Sequence, residues 1–205
     1  MIVLNLEVIT ITKEGQPGMN RSEARNFLVG KSKADVVAFI DSDAFPEAEW
    51  KHEMLKSFKK GADIVAGREI RMGKILPRVE IVVDGQDITY PAVNLAFRRD
   101  VFELLGGFDP CFHVAEDIEL LYRAVKAGFK IVYNPKAIVF HMQRDSIRSS
   151  AVQSFWYGRG RRQFDEKHGR MLGNTRFVVP TSLNMLARYF FGFFGYVSGR
   201  STWKK

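Results

Sequence analysis

Val36-Val37-Ala38-Phe39-Ile40 runs directly into Asp41-Ser42-Asp43, and no other stretch narrows the fold as much. Five consecutive apolar residues rich in β-branched side chains predict a strand covered on both faces, as in an α/β sheet. Carboxylates are rarely buried without a partner. A pair at the C-terminal end of such a strand points to a divalent cation, because open α/β sheets bind ligands at that end. Aspartate oxygens suit hard ions such as Mg²⁺ or Mn²⁺, which usually also hold substrate phosphates. Asp-x-Asp is a short pattern, and a solvated strand-to-loop junction would look the same.

The chain around this strand reads as alternating strands and helices. Ile2 to Thr12 is β-rich, and Gly15-Gln16-Pro17-Gly18 is a loop. Asn20 or Ser22 caps a helix that runs to about Lys31. Ala24, Phe27 and Leu28 form its inner face, and Arg25 falls outside it. Pro46-Glu47-Ala48-Glu49 is expected to open a second helix, which passes through Trp50, Met54, Leu55 and Phe58 and stops at Gly61. Ala62–Ala66 reads as a short strand. Residues 67–91 read as an excursion over the sheet. Asn94–Arg99 reads as a strand, followed by a short helix that Gly106-Gly107 ends.

Glu116-Asp117-Ile118-Glu119 begins a helix whose inner face is Leu120, Leu121, Ala124 and Val125, with Gly128 as its stop. Acids in a first turn have an electrostatic reason of their own, since the helix N-terminus favours negative charge. Phe129–Tyr133 and Ala137–Phe140 read as two short strands, and His141 follows the second. Beyond Ser146 the pattern is helical, although Gly158 and Gly160 predict interruption.

The chain's 205 residues suffice for one domain with a substantial core. The lone Cys111 excludes an internal disulfide framework and fits a reducing compartment. The first residues lack a basic region followed by a long apolar run, so no secretory leader is expected. Net charge is +8 overall, and the excess lies in residues 141–205, which carry 12 Lys/Arg against 3 Asp/Glu. A basic tail implies an anionic partner such as a diphosphate, lipid head groups or nucleic acid. The apolar block 177–197 has about the length of a membrane span, which is roughly 20 residues. Asn184 and Arg188 sit near its middle, so a segment lying at a membrane interface fits better than a spanning one, and a helix packed on the domain is the other open reading.

In order and spacing, these pieces resemble a family-2 glycosyltransferase of the GT-A fold. The residues that carry the likeness are Ser22-Glu23-Ala24-Arg25-Asn26, Val37–Asp43, Asn94–Arg99 with Gly106-Gly107-Phe108-Asp109, Glu116-Asp117-Ile118-Glu119-Leu120 with Arg123, and Gly128–Ile131 through Val139-Phe140-His141. The likeness covers roughly residues 15–170. It implies an α/β fold, a Rossmann-like mixed sheet flanked by helices of the nucleotide-diphospho-sugar transferase kind. The core would occupy residues 1–145, with a basic helical tail over 146–205.

The resemblance also implies roles. Asp43 would hold Mn²⁺ or Mg²⁺ on the donor diphosphate, with Asp41 near the ribose or metal and His141 near the metal. Arg25 would lie near the nucleotide, and Gly107 would border the sugar. Arg159 and Arg161 would neutralise the leaving diphosphate. Asp117 would deprotonate the acceptor hydroxyl, with Glu116 positioning the acceptor, and a single displacement would invert the anomeric centre. The expected partners are a nucleotide-sugar, a glycan or lipid-linked acceptor and a membrane surface, at the cytoplasmic face.

The family's first two strands, which end near Pro-Thr-Tyr-Asn and Asp-Asp-Gly-Ser, have no counterpart ahead of Met1. The expectation is therefore an N-terminally truncated unit prone to self-association. A non-catalytic remnant that binds a membrane or partner chain is the alternative reading. The tail mixes aromatics with arginines, which would suit stacked bases, but no nucleic-acid-binding motif accompanies it, so no nucleic-acid partner is expected.

Overall fold

The computed structural model describes residues 4–11, 18–72, 80–142, 147–169 and 183–199. In chain order its strands are β1 (Leu6–Ile9), β2 (Val36–Phe39), β3 (Ala44–Pro46), β4 (Ile64–Met72), β5 (Val82–Val83), β6 (Gln86–Asp87), β7 (Leu95–Arg98) and β8 (Ile131–Met142). Its helices are α1 (Arg21–Lys31), α2 (Trp50–Lys59), α3 (Arg99–Leu104), α4 (Glu116–Lys126), α5 (Ile147–His168) and α6 (Leu183–Ser198). Six strands form one mixed sheet in the order β1-β2-β7-β4-β8-β3. β1 runs parallel to β2 and β4 parallel to β8, while the other neighbours are antiparallel.

The buried strand behaves as its composition demands. Val37 and Phe39 point into a core shared with α1, α3 and α4, and Val36 and Ala38 point into a second core against α2. Phe39 packs on Phe97, Phe102 and Phe108 at ring separations of 5.0–6.1 Å. Burying each such ring contributes about 1.5–3 kcal/mol. On the opposite face Trp50, Met54 and Phe58 of α2 are fully covered. The α/β sheet flanked by helices is therefore the expected architecture.

Local details differ from the sequence reading, each for a physical reason. Pro46 ends β3 instead of opening α2. It pairs with Val139 at the sheet's edge, where a missing N–H costs nothing. β4 continues past Ala66 to Met72 because β8 accompanies it throughout. β8 is one strand, not two. Its Asn134-Pro135 segment is absorbed in a bulge, where the register jumps from Gly67↔Asn134 to Arg68↔Ile138. α5 runs unbroken through Gly158 and Gly160 because close packing requires both. A Cβ on Gly158 would lie 2.0 Å from the Gly192 carbonyl of α6, and one on Gly160 would lie 2.7 Å from the Val114 carbonyl. Residues 177–182 of the apolar block lie outside the described residues, and the rest of it forms most of α6.

Candidate active site

The segment leaving β2 turns back at once. The Ala44 N–H donates to the Asp41 carbonyl at 3.0 Å, and β3 then pairs with β8 so that Ala44 stands opposite His141. The Met142 N–H donates to the Asp43 carbonyl at 3.0 Å, which locks the turn to β8. As a result, one ligand atom from each of Asp41, Asp43 and His141 lies within 4.8 Å of the others. Two carboxylate oxygens and one imidazole nitrogen form a donor set that fits Mn²⁺ or Mg²⁺.

His141 is held from behind. Its Nδ1 lies 2.7 Å from Glu69 Oε1, and its Nε2 lies 3.4 Å from Asp43 Oδ1. The hydrogen bond to Glu69 raises the imidazole's pKa against the opposing effect of burial, and the charges of Asp43 and Asp41 add to the rise. Burial alone would raise Glu69's carboxyl, but hydrogen bonds from His141 and Arg71 bring it below its ordinary value. Arg71 Nη2 takes the other Glu69 oxygen at 3.0 Å.

The bulge between β4 and β8 aims these residues. Buried Asn94 donates to the carbonyls of Arg68 and Ala137 at 3.0 and 2.9 Å, and its own oxygen accepts from Trp50 Nε1 at 2.8 Å. Gly67 faces this cluster, and any Cβ there would collide with Ala137 O at 2.4 Å. Glu69, Arg71 and His141 all lie just beyond the bulge.

Arg25 is not a surface residue. Its side chain is 3% exposed, lies over Phe39 and Phe108, and bonds Asp41 Oδ1 at 2.9 Å and Glu116 Oε1 at 2.8 Å. Asn20 starts α1 with a capping box shared with Glu23, which fixes the helix that carries Arg25. A single guanidinium thus joins the strand-end acids to the acids that open α4.

At that helix start Ala115 takes a left-handed backbone, φ 63°. Asp117 accepts hydrogen bonds from the backbone N–H groups of Ala92 and Ile118 at 3.2 and 2.8 Å. Burial pushes its carboxyl up to about 6, with the neighbouring Glu116 charge adding to the rise. A carboxylate poised near neutrality is what a general base requires. Tyr157 of α5 looks onto the same region. Its side chain is about half exposed; its phenol is raised, first by the protein packed around it and then by the Asp117 charge, with Arg71 opposing.

The remaining expected residues are placed as follows. Gly107 has φ 70° and sits against Asn26, whose side chain pairs with both the N–H and the carbonyl of Phe108. Arg159 lies over Trp156 and lines a cavity of about 240 Å³ with His113, Val114, Gly160 and Gln163. Arg161 is exposed. None of the described contacts joins either arginine to Asp41, Asp43 or His141. Fully buried Glu119 binds Arg123, Lys167 and His168 and so ties α5 onto α4. Glu69 and Tyr157 escaped the sequence reading, and Asn94 and Glu119 entered it only as members of longer stretches, with no site role. A charged residue at mid-strand, as Glu69 is, was the available signal.

The family model described as glycosyl transferase family 2 matches residues 7–74, and the one described as glycosyltransferase like family 2 matches residues 84–159. A pre-mycofactocin glycosyltransferase of Mycobacterium tuberculosis is 25% identical over 162 residues, which covers 66% of this chain and 33% of that protein. The succinoglycan biosynthesis protein ExoA of Rhizobium meliloti is 36% identical over 90 residues, 44% of this chain and 27% of its own. The chain thus spans about a third of these relatives' length. Among solved structures, TarS 1–349 of S. aureus matches with a TM-score of 0.52 at 13% identity, covering 88% of this chain and 60% of that one. Its fold agrees with the mixed sheet described above.

Proposed function

The chain belongs to glycosyltransferase family 2, and on that premise we propose that it moves a sugar from a nucleotide-diphospho-sugar to an acceptor hydroxyl with inversion. The observation that carries this reading is the Arg25 bridge. It fixes the strand-end carboxylate Asp41 and the helix-start carboxylate Glu116 on one guanidinium. The donor diphosphate then sits at the Asp41–Asp43 end, and the acceptor meets Asp117. Asp117 takes the acceptor proton as the new C–O bond forms. The bond from the anomeric carbon to phosphate breaks, and its electron pair leaves with the nucleoside diphosphate. Asp41, Asp43 and His141 would hold a divalent cation, which supplies charge neutralisation to that leaving group. Glu116, paired with Arg25, shapes the acceptor side without taking the proton.

The succinoglycan relative supports a glycan acceptor, and a TarS complex with UDP-GlcNAc supports a nucleotide-sugar donor. The test is calorimetric titration of UDP, GDP and dTDP into the chain, with and without Mn²⁺. Metal-dependent binding that Asp43→Ala abolishes is the expected result, and equal binding by that variant overturns the site assignment.

A second surface favours docking at a membrane interface. Leu186, Phe190, Phe193, Phe194 and Val197 lie along α6 and are all more than half exposed. No helix among the described residues is long and apolar enough to cross a membrane. We assign this stripe to the acyl boundary of anionic vesicles, which the basic tail attracts. Sedimentation with phosphatidylglycerol vesicles that Phe190→Ser with Phe193→Ser leaves undiminished would remove this reading.

A further inference from the structure

Resting on the reading of the cleft as a nucleotide-sugar site, we propose that Arg71 is a ligand of the donor diphosphate and that Glu69 positions it together with His141. Glu69 is a nearly buried carboxylate with one client on each oxygen: His141 Nδ1 on Oε1 at 2.7 Å, and Arg71 Nη2 on Oε2 at 3.0 Å. Arg71 and His141 are direct partners in the parallel β4–β8 ladder, so their side chains leave the sheet on the same face. One carboxylate therefore sets the direction of both.

Arg71 has what the leaving-group side needs. Its side chain is about one-third exposed. Among the described contacts only one of its amines is engaged, which leaves further N–H donors in the fork geometry that matches phosphate. Arg159, by contrast, rests on Trp156, and Arg25 is buried and holds Asp41 and Glu116. When the bond to the anomeric carbon breaks, the electron pair moves onto the phosphate oxygen, and an Arg71 N–H donates to that oxygen. The step needs no further reactant. Glu69 is a positioning residue in this scheme and touches neither donor nor acceptor.

The experiment uses the whole chain and two separate readouts. Mn²⁺ alone is titrated and followed by its paramagnetic resonance signal, and UDP, GDP and dTDP are titrated calorimetrically at saturating Mn²⁺. Arg71→Met is expected to weaken nucleoside diphosphate binding about tenfold or more while leaving the affinity for Mn²⁺ alone unchanged. Arg71→Lys restores part of the loss. Glu69→Ala weakens both, with Mn²⁺ affinity falling about tenfold or more as a lost outer-shell partner of a ligating histidine predicts. Should Glu69→Ala fold poorly, Glu69→Gln keeps the side-chain shape but only one acceptor oxygen for the two clients, and is expected to fall between wild type and Glu69→Ala in both readouts. Unchanged diphosphate binding in Arg71→Met, or unchanged Mn²⁺ affinity in both Glu69 variants, overturns the proposal while wild-type binding and its loss in Asp43→Ala leave the site reading intact. Wild-type protein that binds neither Mn²⁺ nor any of the nucleotides overturns both.

Discussion

Arg25 Nη1 stands 2.8 Å from Glu116 Oε1, across 91 positions of sequence, and both side chains are buried. That bond gives two adjacent acids different partners. Glu116 is paired with a guanidinium, and Asp117 is left with backbone N–H partners and a carboxyl raised to about 6.

The first prediction concerns pH. If Asp117 is the base, sugar transfer should rise with pH through about 6 and level off above it. Asp117→Asn should lower kcat about 10²–10⁴-fold and remove that limb. Stability moves in the opposite direction. A carboxyl raised by burial contributes stability while protonated, complete below about 4, where the unfolded carboxyl also protonates, and lost as pH rises through about 6. Asp117→Asn should therefore melt at a higher temperature than wild type at pH 8, with the gap closing by pH 4. Thermal melts across that range would expose a wrong sign.

Arg25→Met should destabilise the fold by about 3 kcal/mol, the lower end of the range for breaking a buried ion pair, because Asp41 keeps one-third of its surface to share the burden with water. Arg25→Lys should rescue little, since one ammonium cannot repeat the two separate N–H contacts made by Nη1 and Nη2. Urea unfolding decides it, and a full rescue by lysine would contradict the bridge.

Asn94→Leu removes two donors and one acceptor at once, orphaning the Arg68 and Ala137 carbonyls and the Trp50 indole N–H. Each orphan costs about 1–3 kcal/mol. The variant should lose several kcal/mol and, because Glu69 and His141 lie beyond the bulge, Mn²⁺ affinity as well. Stability lost with metal affinity intact would separate the bulge from the site.

Glycine substitutions should split by location. Gly30→Ala on α1 meets no atom within 4 Å and should gain about 0.5–1 kcal/mol from helix propensity. Gly158→Ala gains the same propensity but drives a Cβ to 2.0 Å from the Gly192 carbonyl. Its melting temperature should fall and its α5–α6 pairing loosen, which limited proteolysis would register.

The strand Val36–Ile40 and the face of α4 were legible because local periodicity is set by burial, and both lie where the core requires. The Asp41 and Asp43 pair was legible from its place at the end of a buried strand, but His141 joined it only through resemblance, since nothing local in His141 announces that β3 will bring Asp43 beside it. Arg25 reads as external on α1 because a charged residue is normally solvated, and its two acids arrive from other elements. Glu69 was hidden for the same reason, its partner lying 72 residues away. Gly158 and Gly160 mislead in the opposite direction. Propensity counts their entropic cost, but it cannot see the carbonyls of Gly192 and Val114 against which they pack.

The β4–β8 ladder also sets a timetable. Its two strands are parallel and pair Ile64 with Ile131 and Met72 with Met142, so nothing in the first half of the chain can form it alone. Closing such a distant pairing is slow, because the loop must be ordered before any contact rewards it. During synthesis the Asp41–Asp43 turn emerges long before its imidazole. A ribosome-bound chain stopped short of β8 would expose two carboxylates with no imidazole beside them and a sheet lacking its last long strand. The cleft therefore cannot be complete in a nascent chain until Met142 has cleared the exit tunnel, and until then β4 keeps an unpaired edge of the kind that invites association.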